Sequence, residues 1–496
     1  MSVLFSGGRV VTPGGAAEWA LVEDGVVAAT GAAGDEPHAA RRVDLDGGVL
    51  LPSFCDAHVH LPATGLYAAG MDFRGETSSR AILDAFAERA RDPDAILYGG
   101  NFEDPLDRPL SSALLDEAVG DRPALLARAD MHSCVVSSAL LRQLDVGETT
   151  GYLREQDAAE AWRWFDASLP RRQQRDAIRS AVELAYSKGV TSVHEMYVVE
   201  WRGWGSLDVM QEALAGTALQ VVLYVATDEV ARVRDMGLPR IGGDYFLDGS
   251  FGSHTAWLSE PYASAPPDGT PVTGISYRDD AALLELFREA QASFLQMGVH
   301  AIGDAAIEQA VSTWEKVAAD VGDDAVRSLG HRIEHFECAT DDHIERAARL
   351  GLRASVQPAF DLYWGGTDGL YASRIGDGRA LDMNRFGTMA ARGVSLGAGS
   401  DSTVTPLDPF LQMSALRGHH VAAERLDAAA ALEMHTVGSR ALAGDATAGV
   451  IAAGQRADLV LVDRDPLTTD DVAGTEGAGT WIAGERVWPP AEAEAS

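Results

Sequence analysis

Two histidines, His58 and His60, stand one residue apart in the segment "LPSFCDAHVHL". In a β-strand, residues i and i+2 project from the same face, so both imidazoles can point into one site. Neutral imidazole nitrogens are common ligands of divalent transition metals, and two of them supply half of a tetrahedral site. Taken alone, the pair is equally compatible with a packed core.

Three further candidate ligands end short apolar segments later in the chain. His300 lies in "MGVHAIGD", His335 in "HRIEHFE" and Asp401 in "LGAGSDS". Each falls at the carboxyl end of a predicted strand, where parallel barrels build their active sites. Together with the first pair, these nitrogen and oxygen donors predict a metal centre.

An alternation of helical and strand-like segments predicts the scaffold that positions these residues. Segments such as "ELAYSKGVTSVHEMY" and "EAQASFLQMGVHAIGD" each read as a helix followed by an apolar strand. Their repetition predicts an α/β fold of parallel β/α units closed into a barrel over residues 52–445. About 130 residues separate the first two barrel strands, which is too long for one crossover helix. We therefore expect an inserted subdomain at about 72–165.

The two ends of the chain have a different pattern of apolar and turn residues from the middle. Residues 1–51 and 446–496 both read as short alternating strands separated by turns. Two β-rich ends around a helix-rich middle predict that the termini meet in one small sheet domain.

Composition limits the partners that the chain can have. A formal net charge of −34 and a pI near 4.6 disfavour nucleic acid and anionic lipid surfaces. No apolar stretch approaches the roughly 20 residues of a membrane span, and the start "MSVLFSGGRVVTPGG" lacks the pattern of a signal peptide. Cys55, Cys134 and Cys338 are few and widely spaced, as expected for reduced thiols. We expect a cytoplasmic protein that acts on a small molecule.

The ordered motifs together resemble a known family. The segments "LPSFCDAHVHL", "DYFLDGSFGS", "HRIEHFE" and "GSDSTVTPLDPF" look like the amidohydrolase superfamily. With the insert motif "DMHSCVVSSALL", they resemble its amidohydrolase-3 branch of N-substituted formamide deformylase-like metal-dependent hydrolases. The resemblance implies a distorted (β/α)8 TIM barrel with a small β-sandwich built from both chain ends. It implies His58, His60, His300 and His335 as metal ligands, and Asp401 as ligand and proton shuttle.

One position departs from the family pattern. The fourth-strand motif of the branch usually reads like "KLFADGS", and its lysine, when carbamylated, can bridge two metals. Here Asp244 takes that place in "DYFLDGS", and the two lysines, Lys188 and Lys316, lie elsewhere. Because an aspartate is several bonds shorter, the sequence favours one ion over two, with Asp244 as a ligand or as a partner of one. The alternative is a two-ion centre bridged by Asp244 or Glu195.

The leading hypothesis is a metal-dependent hydrolase of a carbon–nitrogen bond in an N-substituted amide or formamide. A divalent metal, with zinc favoured by nitrogen-rich ligation, lowers the pKa of bound water to about 7. Asp401 would move the proton of that water to the leaving nitrogen. One alternative is a deaminase of a cyclic heteroaromatic compound, and another is a non-catalytic small-molecule-binding barrel. The resemblance also makes a homodimer an expectation by analogy.

Several other side chains could reach the substrate or support the ligands. His132, in the insert motif, and His254, in "GSFGSHTAWL", are candidates for substrate contact or ordinary structural roles. His194 and His331 are candidates for packing or for support of the ligands. Four aromatic residues in loops after strands could line a pocket or pack under the loops: Trp201, Trp204, Tyr363 and Trp364.

Overall fold

The chain has a mixed α/β fold in this computed structural model, which describes residues 2–129, 131–267 and 270–490. The strands are β1 Ser2–Thr12, β2 Gly15–Glu23, β3 Val26–Gly31, β4 Arg41–Asp44, β5 Val49–Pro52, β6 Phe54–Val59, β7 Met71–Asp72, β8 Tyr98–Phe102, β9 Leu125–Arg128, β10 Ser133–Val136, β11 Tyr152–Arg154, β12 Val190–Val198, β13 Gln220–Ala226, β14 Arg240–Ile241, β15 Gln296–Ala301, β16 Arg332–His335, β17 Arg353–Val356, β18 Ser395–Ala398, β19 Leu459–Val462, β20 Gly477–Ile482 and β21 Glu485–Trp488.

Helices occupy most of the connections between these strands. They are α1 Leu61–Ala69, α2 Ser79–Arg89, α3 Ser112–Val119, α4 Ser138–Leu141, α5 Glu155–Ser168, α6 Arg171–Ser187, α7 Val199–Leu214, α8 Val230–Asp235, α9 Asp280–Ala292, α10 Asp304–Val321, α11 Asp323–Leu329, α12 Asp341–Leu350, α13 Pro358–Trp364, α14 Leu370–Ile375, α15 Asp377–Ala380, α16 Phe386–Ala391, α17 Pro409–Gly418, α18 Ala428–Glu433 and α19 Ser439–Leu442. No helix in the described part of the chain is long and apolar enough to cross a membrane.

Strands from both ends of the chain share one sheet. Its order is β21-β20-β19-β5-β1-β2-β3, and β4 pairs with β1. The ends meet where β19 runs antiparallel to β5, with Leu459 opposite Pro52 and Val462 opposite Val49. Alternate apolar side chains of these strands, such as Phe5 and Trp481, pack together on one face, as the period of two in a strand requires.

Two parallel sheets form the centre of the molecule, in the orders β13-β12-β6 and β14-β15-β16-β17-β18. Strands β6, β12 and β15 are buried along their whole length, which is usual for parallel sheets covered by helices. Backbone hydrogen bonds join the edges of the two sheets, from Asp401 N to His58 O (2.8 Å) and from Gly242 N to Val225 O (2.8 Å). The carboxyl ends of the strands therefore gather on one side of the molecule.

The segment between β6 and β12 contains a sheet of its own, in the order β11-β10-β9-β8-β7. Helices α2 and α3 cover one face of this sheet through Phe86 and Leu115, while α5 covers the other through Trp162. Asp130, the first residue of the insert motif, lies outside the described residues. The neighbouring His132 precedes β10, and this segment carries it to the carboxyl side of the parallel strands.

His331 is a packing residue at the opposite end of the central strands. Its ring stacks on Trp314 of α10 at a centroid distance of 3.7 Å. Met297 N donates to its Nδ1 at 3.0 Å, so its Nε2 carries the proton and donates to Gln291 Oε1 at 2.8 Å. Burial lowers the pKa of His331 to about 3, and the ring therefore stays neutral in the core.

Candidate metal centre

The structure brings all the sequence-predicted metal ligands to one place at the carboxyl ends of the parallel strands. His58 is in β6, His300 is in β15 and His335 ends β16, while Asp401 follows β18. Each of the six side chains is at least nine-tenths buried: His58, His60, Asp244, His300, His335 and Asp401.

Asp244 lies between the two pairs of histidines. Its Oδ2 is 3.3 Å from His58 Nε2 and 3.1 Å from His60 Nε2. Its Oδ1 is 3.6 Å from His300 Nδ1 and 3.5 Å from His335 Nε2. One carboxylate therefore contacts both halves of the centre, a reach that the length of an aspartate side chain alone does not predict.

Two glycines explain how a short side chain covers this distance. Gly242 and Gly243 precede Asp244, and both have positive φ, at 79° and 80°. A Cβ on Gly242 would lie 2.0 Å from Gly298 O, and one on Gly243 would lie 2.5 Å from Met196 Sδ. The backbone thus passes so close to its neighbours that only glycine fits, and this close approach compensates for the short aspartate.

Asp401 completes the half of the centre that contains the first two histidines. Its Oδ1 is 3.5 Å from His58 Nε2 and 3.3 Å from His60 Nε2. Ligands held at about 2.0–2.2 Å around a tetrahedral zinc ion lie about 3.3–3.6 Å from one another. The separations of His58 and His60 from Asp244 and Asp401 agree with that spacing to within about 0.2 Å.

Several atoms that face the middle of the centre make no hydrogen bond of good geometry. They are His58 Nε2, His300 Nδ1, His335 Nε2, Asp244 Oδ1 and Asp401 Oδ1. Buried polar atoms are rarely left without a partner, because each costs the desolvation of that atom. Inward-facing nitrogen and carboxylate atoms of this kind are the donors that a divalent transition metal takes, so the residues present fit such an ion.

The charges in the centre are strongly coupled. Burial acts to lower the pKa of His60, but Asp244 and Asp401 outweigh it and raise that pKa to about 9. The same two carboxylates hold the pKa of His58 well above its usual value against the effect of burial. Burial would raise the pKa of Asp244, yet the histidines around it hold that pKa well below its usual range. The carboxylates therefore attract positive charge, which protons or metal ions can supply in competition.

The other ring nitrogen of each histidine has a fixed partner. His58 Nδ1 lies 3.0 Å from Glu334 Oε2, His60 Nδ1 lies 3.0 Å from Met196 O, His335 Nδ1 lies 2.9 Å from Gln357 Oε1, and His300 Nε2 lies 3.2 Å from Gly249 O. In every case the outer nitrogen donates to an oxygen, so a ring in its neutral form presents the lone pair of its inner nitrogen to the centre. Such contacts orient metal-binding histidines and fix their tautomer.

A sequence model of the amidohydrolase family matches residues 41–488. The chain belongs to the amidohydrolase family. It is therefore an enzyme, a metal-dependent hydrolase of carbon–nitrogen bonds, and the alternative of a non-catalytic binding barrel is excluded.

Individual relatives agree with this membership. The putative amidohydrolase YtcJ of Bacillus subtilis is 28% identical, covering 95% of this chain and 96% of its own. The N-substituted formamide deformylase of Arthrobacter pascens is 25% identical, covering 94% of this chain and 90% of its own. An uncharacterized metal-dependent hydrolase of Pyrococcus furiosus has a TM-score of 0.74 and 27% identity, covering 94% of this chain and 100% of its own.

In this amidohydrolase, a buried ion pair lies behind the first histidine, and sequence reasoning missed it. Arg332 Nη2 is 2.7 Å from Glu334 Oε2, the oxygen that accepts from His58. Arg332 Nη1 also donates to His194 Nδ1 at 2.8 Å, so His194 contacts the arginine that pairs with Glu334. The spacing of Arg332 and Glu334 places them on one face of β16, and this alternation in "HRIEH" was the available signal.

Gln357 offers a clean test of how these contacts orient the amidohydrolase ligands. Gln357→Met keeps the volume of the side chain and removes the oxygen that accepts from His335 Nδ1. We expect metal affinity to fall by about 10–100-fold. The free energy of unfolding should fall by only about 1–3 kcal/mol, because one buried N–H of His335 loses its acceptor while no charge is left unpaired. Metal titration with a competing chromophoric chelator, together with a melting curve, checks this. Unchanged affinity would contradict the orienting role.

A cavity opens directly beside His335 and Asp401. Its wall includes four aromatic side chains, and its polar side chains come from the insert and from segments that follow the strands. The lining residues include Glu103, Arg128, His132, Phe251, Glu337, Phe360, Trp364 and Tyr371. Because His300, His335 and Asp401 also line it, this cavity is a place where a small molecule can meet the centre of this amidohydrolase.

Of the two residues predicted to contact substrate, His132 lines this cavity and His254 does not. His132 lines it, with its ring 5.8 Å from that of His300 and its Nδ1 3.3 Å from Glu155 Oε2. His254 is not among the lining residues. It has a φ of 59° in the tight turn after Ser250, and its Nε2 lies 3.0 Å from Ser264 Oγ. Substrate contact at His254 stays a prediction.

The prediction that four aromatic residues lie in loops is wrong, because Trp201 and Trp204 belong to helix α7 and Tyr363 and Trp364 to helix α13. Trp364 lines the cavity. Trp201 stacks on Phe246 at 5.1 Å and lies 6.3 Å from His60, measured between ring centroids. Trp204 donates to Glu229 Oε1 at 2.7 Å, and Tyr363 is partly exposed.

Proposed function

We propose that the protein hydrolyses an N-substituted amide or formamide with divalent metal and with Asp401 as the proton carrier. The observation that carries this proposal is the position of Asp401, whose carboxylate contacts His58 and His60 and also lines the aromatic cavity. A single carboxylate at the junction of the ligand set and the cavity is placed to exchange a proton with substrate. The relative named N-substituted formamide deformylase supports the substrate class.

The residues of the chain would act as follows. When bound, a divalent ion lowers the pKa of water to about 7 and polarises a carbonyl group. Burial tends to raise the pKa of Asp401, but His58 and His60 outweigh it and lower that pKa, so Asp401 begins as a carboxylate. It accepts the proton of the attacking water and returns it to the leaving nitrogen, which must leave as a neutral amine. His132 contacts the substrate from the insert.

We propose that the centre holds two ions, both zinc, with Asp244 shared between them. His58, His60, Asp401 and Asp244 Oδ2 would hold the first, while His300, His335 and Asp244 Oδ1 would hold the second. The sequence favoured one ion because aspartate was expected to reach only one half; the contacts of Asp244 with both pairs support two. Nitrogen-rich donor sets with carboxylates suit zinc. No ion pair joins Glu195 to a histidine within residues 2–129, 131–267 and 270–490, and its Oε2 accepts from Leu61 N at 2.6 Å.

We also propose that the scaffold is a distorted (β/α)8 barrel over residues 52–445, with the terminal sheet as a β-sandwich of residues 1–51 and 446–496. The edge-to-edge hydrogen bonds between the two parallel sheets support closure of the barrel. The separate sheet β7–β11 supports an inserted subdomain at about 72–165.

Metal removal and a substrate panel test the proposed function together. The panel contains N-formyl and N-acetyl amines and, as the competing class, amino-substituted triazines and pyrimidines. We expect release of free amine with formate or acetate, a loss of at least about 100-fold after dialysis against chelator, and recovery with zinc. If only ring compounds react and ammonia is released, the protein is a deaminase. If hydrolysis survives chelation unchanged, the metal-dependent mechanism fails.

A further inference from the structure

Glu337 is a buried carboxyl group on the wall of the cavity. It follows His335 by two residues and is only 2% exposed. Its Oε2 accepts a hydrogen bond from Tyr371 Oη at 2.7 Å. It belongs to neither of the two proposed ligand sets, so its carboxyl group is available to whatever occupies the cavity.

The basic side chains around the cavity have acidic neighbours, but the acidic side chain of Glu337 has no basic neighbour in the part of the chain that the structure describes. Arg128 Nε lies 3.6 Å from Asp104 Oδ2, and His132 Nδ1 lies 3.3 Å from Glu155 Oε2, so both basic side chains have an acidic neighbour. Glu337 has no such complement: within the described chain, no lysine, arginine or histidine nitrogen lies within 4 Å of its carboxylate. Burial of a carboxylate without a cation is costly, and a positively charged ligand removes that cost.

The aromatic wall adds to the attraction for a cation. Phe360, Trp364 and Tyr371 line the same cavity as Glu337, and the rings of Phe360 and Trp364 are 4.8 Å apart. Aromatic faces carry negative charge density and attract ammonium groups within about 6 Å. A second carboxyl group, Glu103, accepts from Trp364 Nε1 at 3.1 Å. Aromatic faces and the buried carboxyl group of Glu337 therefore border the space next to the centre, whereas the Glu103 carboxyl group is exposed to solvent.

We propose that Glu337 binds a positively charged nitrogen of the substrate. The preferred substrates are then N-substituted amides whose cavity-bound part carries a protonated amine away from the bond that is cleaved. This inference rests on the proposed function, in that the cavity is taken to hold the substrate. Glu337 is a binding residue in this scheme and takes no part in proton transfer.

Binding of three small probes to the metal-loaded protein tests this assignment without requiring turnover. Benzylamine and benzyl alcohol are nearly the same size and differ in charge, and benzyltrimethylammonium is a cation that cannot ligate a metal. We expect calorimetric titration at pH 7 to show both cations binding at least tenfold more tightly than the alcohol. Glu337→Gln should reduce this preference to less than threefold, because glutamine still accepts from Tyr371 but carries no charge.

The control is Glu103→Gln, which removes the exposed carboxyl group bonded to Trp364. It should leave most of the preference, since solvent screens an exposed charge. Metal content, measured for every variant, should be unchanged. An absence of preference for the cations in the native protein, or its survival in Glu337→Gln, overturns the proposal. Either result leaves the hydrolase function standing, and a failure of the chelation test leaves this binding result standing.

Discussion

Asp401→Asn is expected to lower kcat by about 10³-fold while most of the metal is retained. Asparagine keeps the shape of the side chain and an oxygen that can face His58 and His60, but it cannot accept a proton and return it. General acid–base groups contribute about 10²–10⁴-fold, and Asp401 would serve both halves of the reaction. Steady-state kinetics on the best amide of the panel, with elemental analysis of the same sample, measures the two quantities separately.

Asp408→Asn is the matched control for that variant. Asp408 lies seven residues later, caps the N-terminus of α17 and pairs with Lys188 at 2.5 Å, and within the described chain it forms no ion pair with a histidine. Asparagine caps a helix about as well as aspartate, so the change should cost only the ion pair with Lys188 while kcat stays within about twofold. An Asp401→Asn protein that holds its metal and keeps more than a tenth of kcat would show that another group carries the proton.

The candidate ligands that the sequence predicts depend on residue type and strand position alone. His58, His60, His300 and His335 each lie at or just past the end of a buried apolar strand, and parallel strands bring such ends together whatever the details of packing. The structure brings these side chains together around Asp244, and their role as metal ligands stays a prediction. The mixed α/β scaffold was predictable for the same reason, because helix and strand periods are local properties of the sequence.

The features that sequence reasoning missed depend on distances between segments far apart in the chain. The reach of Asp244 follows from two glycines packed against Gly298 and Met196, and no local pattern reports that approach. The supporting pair behind His58 was visible only as an alternation in one strand. The cavity wall combines residues from the insert with residues that follow several strands. Arg128 and His132 each have an acidic neighbour there, whereas Glu337 has no cationic side chain within 4 Å in the described chain, and only the assembled structure shows this difference.

Asp244→Asn gives the second large effect, a loss of about one metal ion per chain and a fall in kcat of at least about 100-fold. One oxygen of the carboxylate faces His58 and His60 and the other faces His300 and His335, whereas an asparagine offers one oxygen and one amide nitrogen. An amide NH₂ does not ligate a cation, so one half of the centre loses a donor and the shared negative charge disappears. The metal content measured by elemental analysis should fall from about two ions per chain to about one.

Metal loading of the native protein independently tests how many ions the centre holds and whether a lysine carbamate takes part. A lysine bridge would need carbon dioxide to form its carbamate, but Lys188 is paired with Asp408 and Lys316 lies in α10, so neither reaches the centre. Metal loading of the native protein should therefore be equal in degassed buffer and in buffer with added bicarbonate. Glu195→Gln should leave about two ions in place, since that carboxylate bonds to Leu61 N. A native content of one ion that Asp244→Asn does not change would instead establish the single-ion centre, with Asp244 as its neighbour.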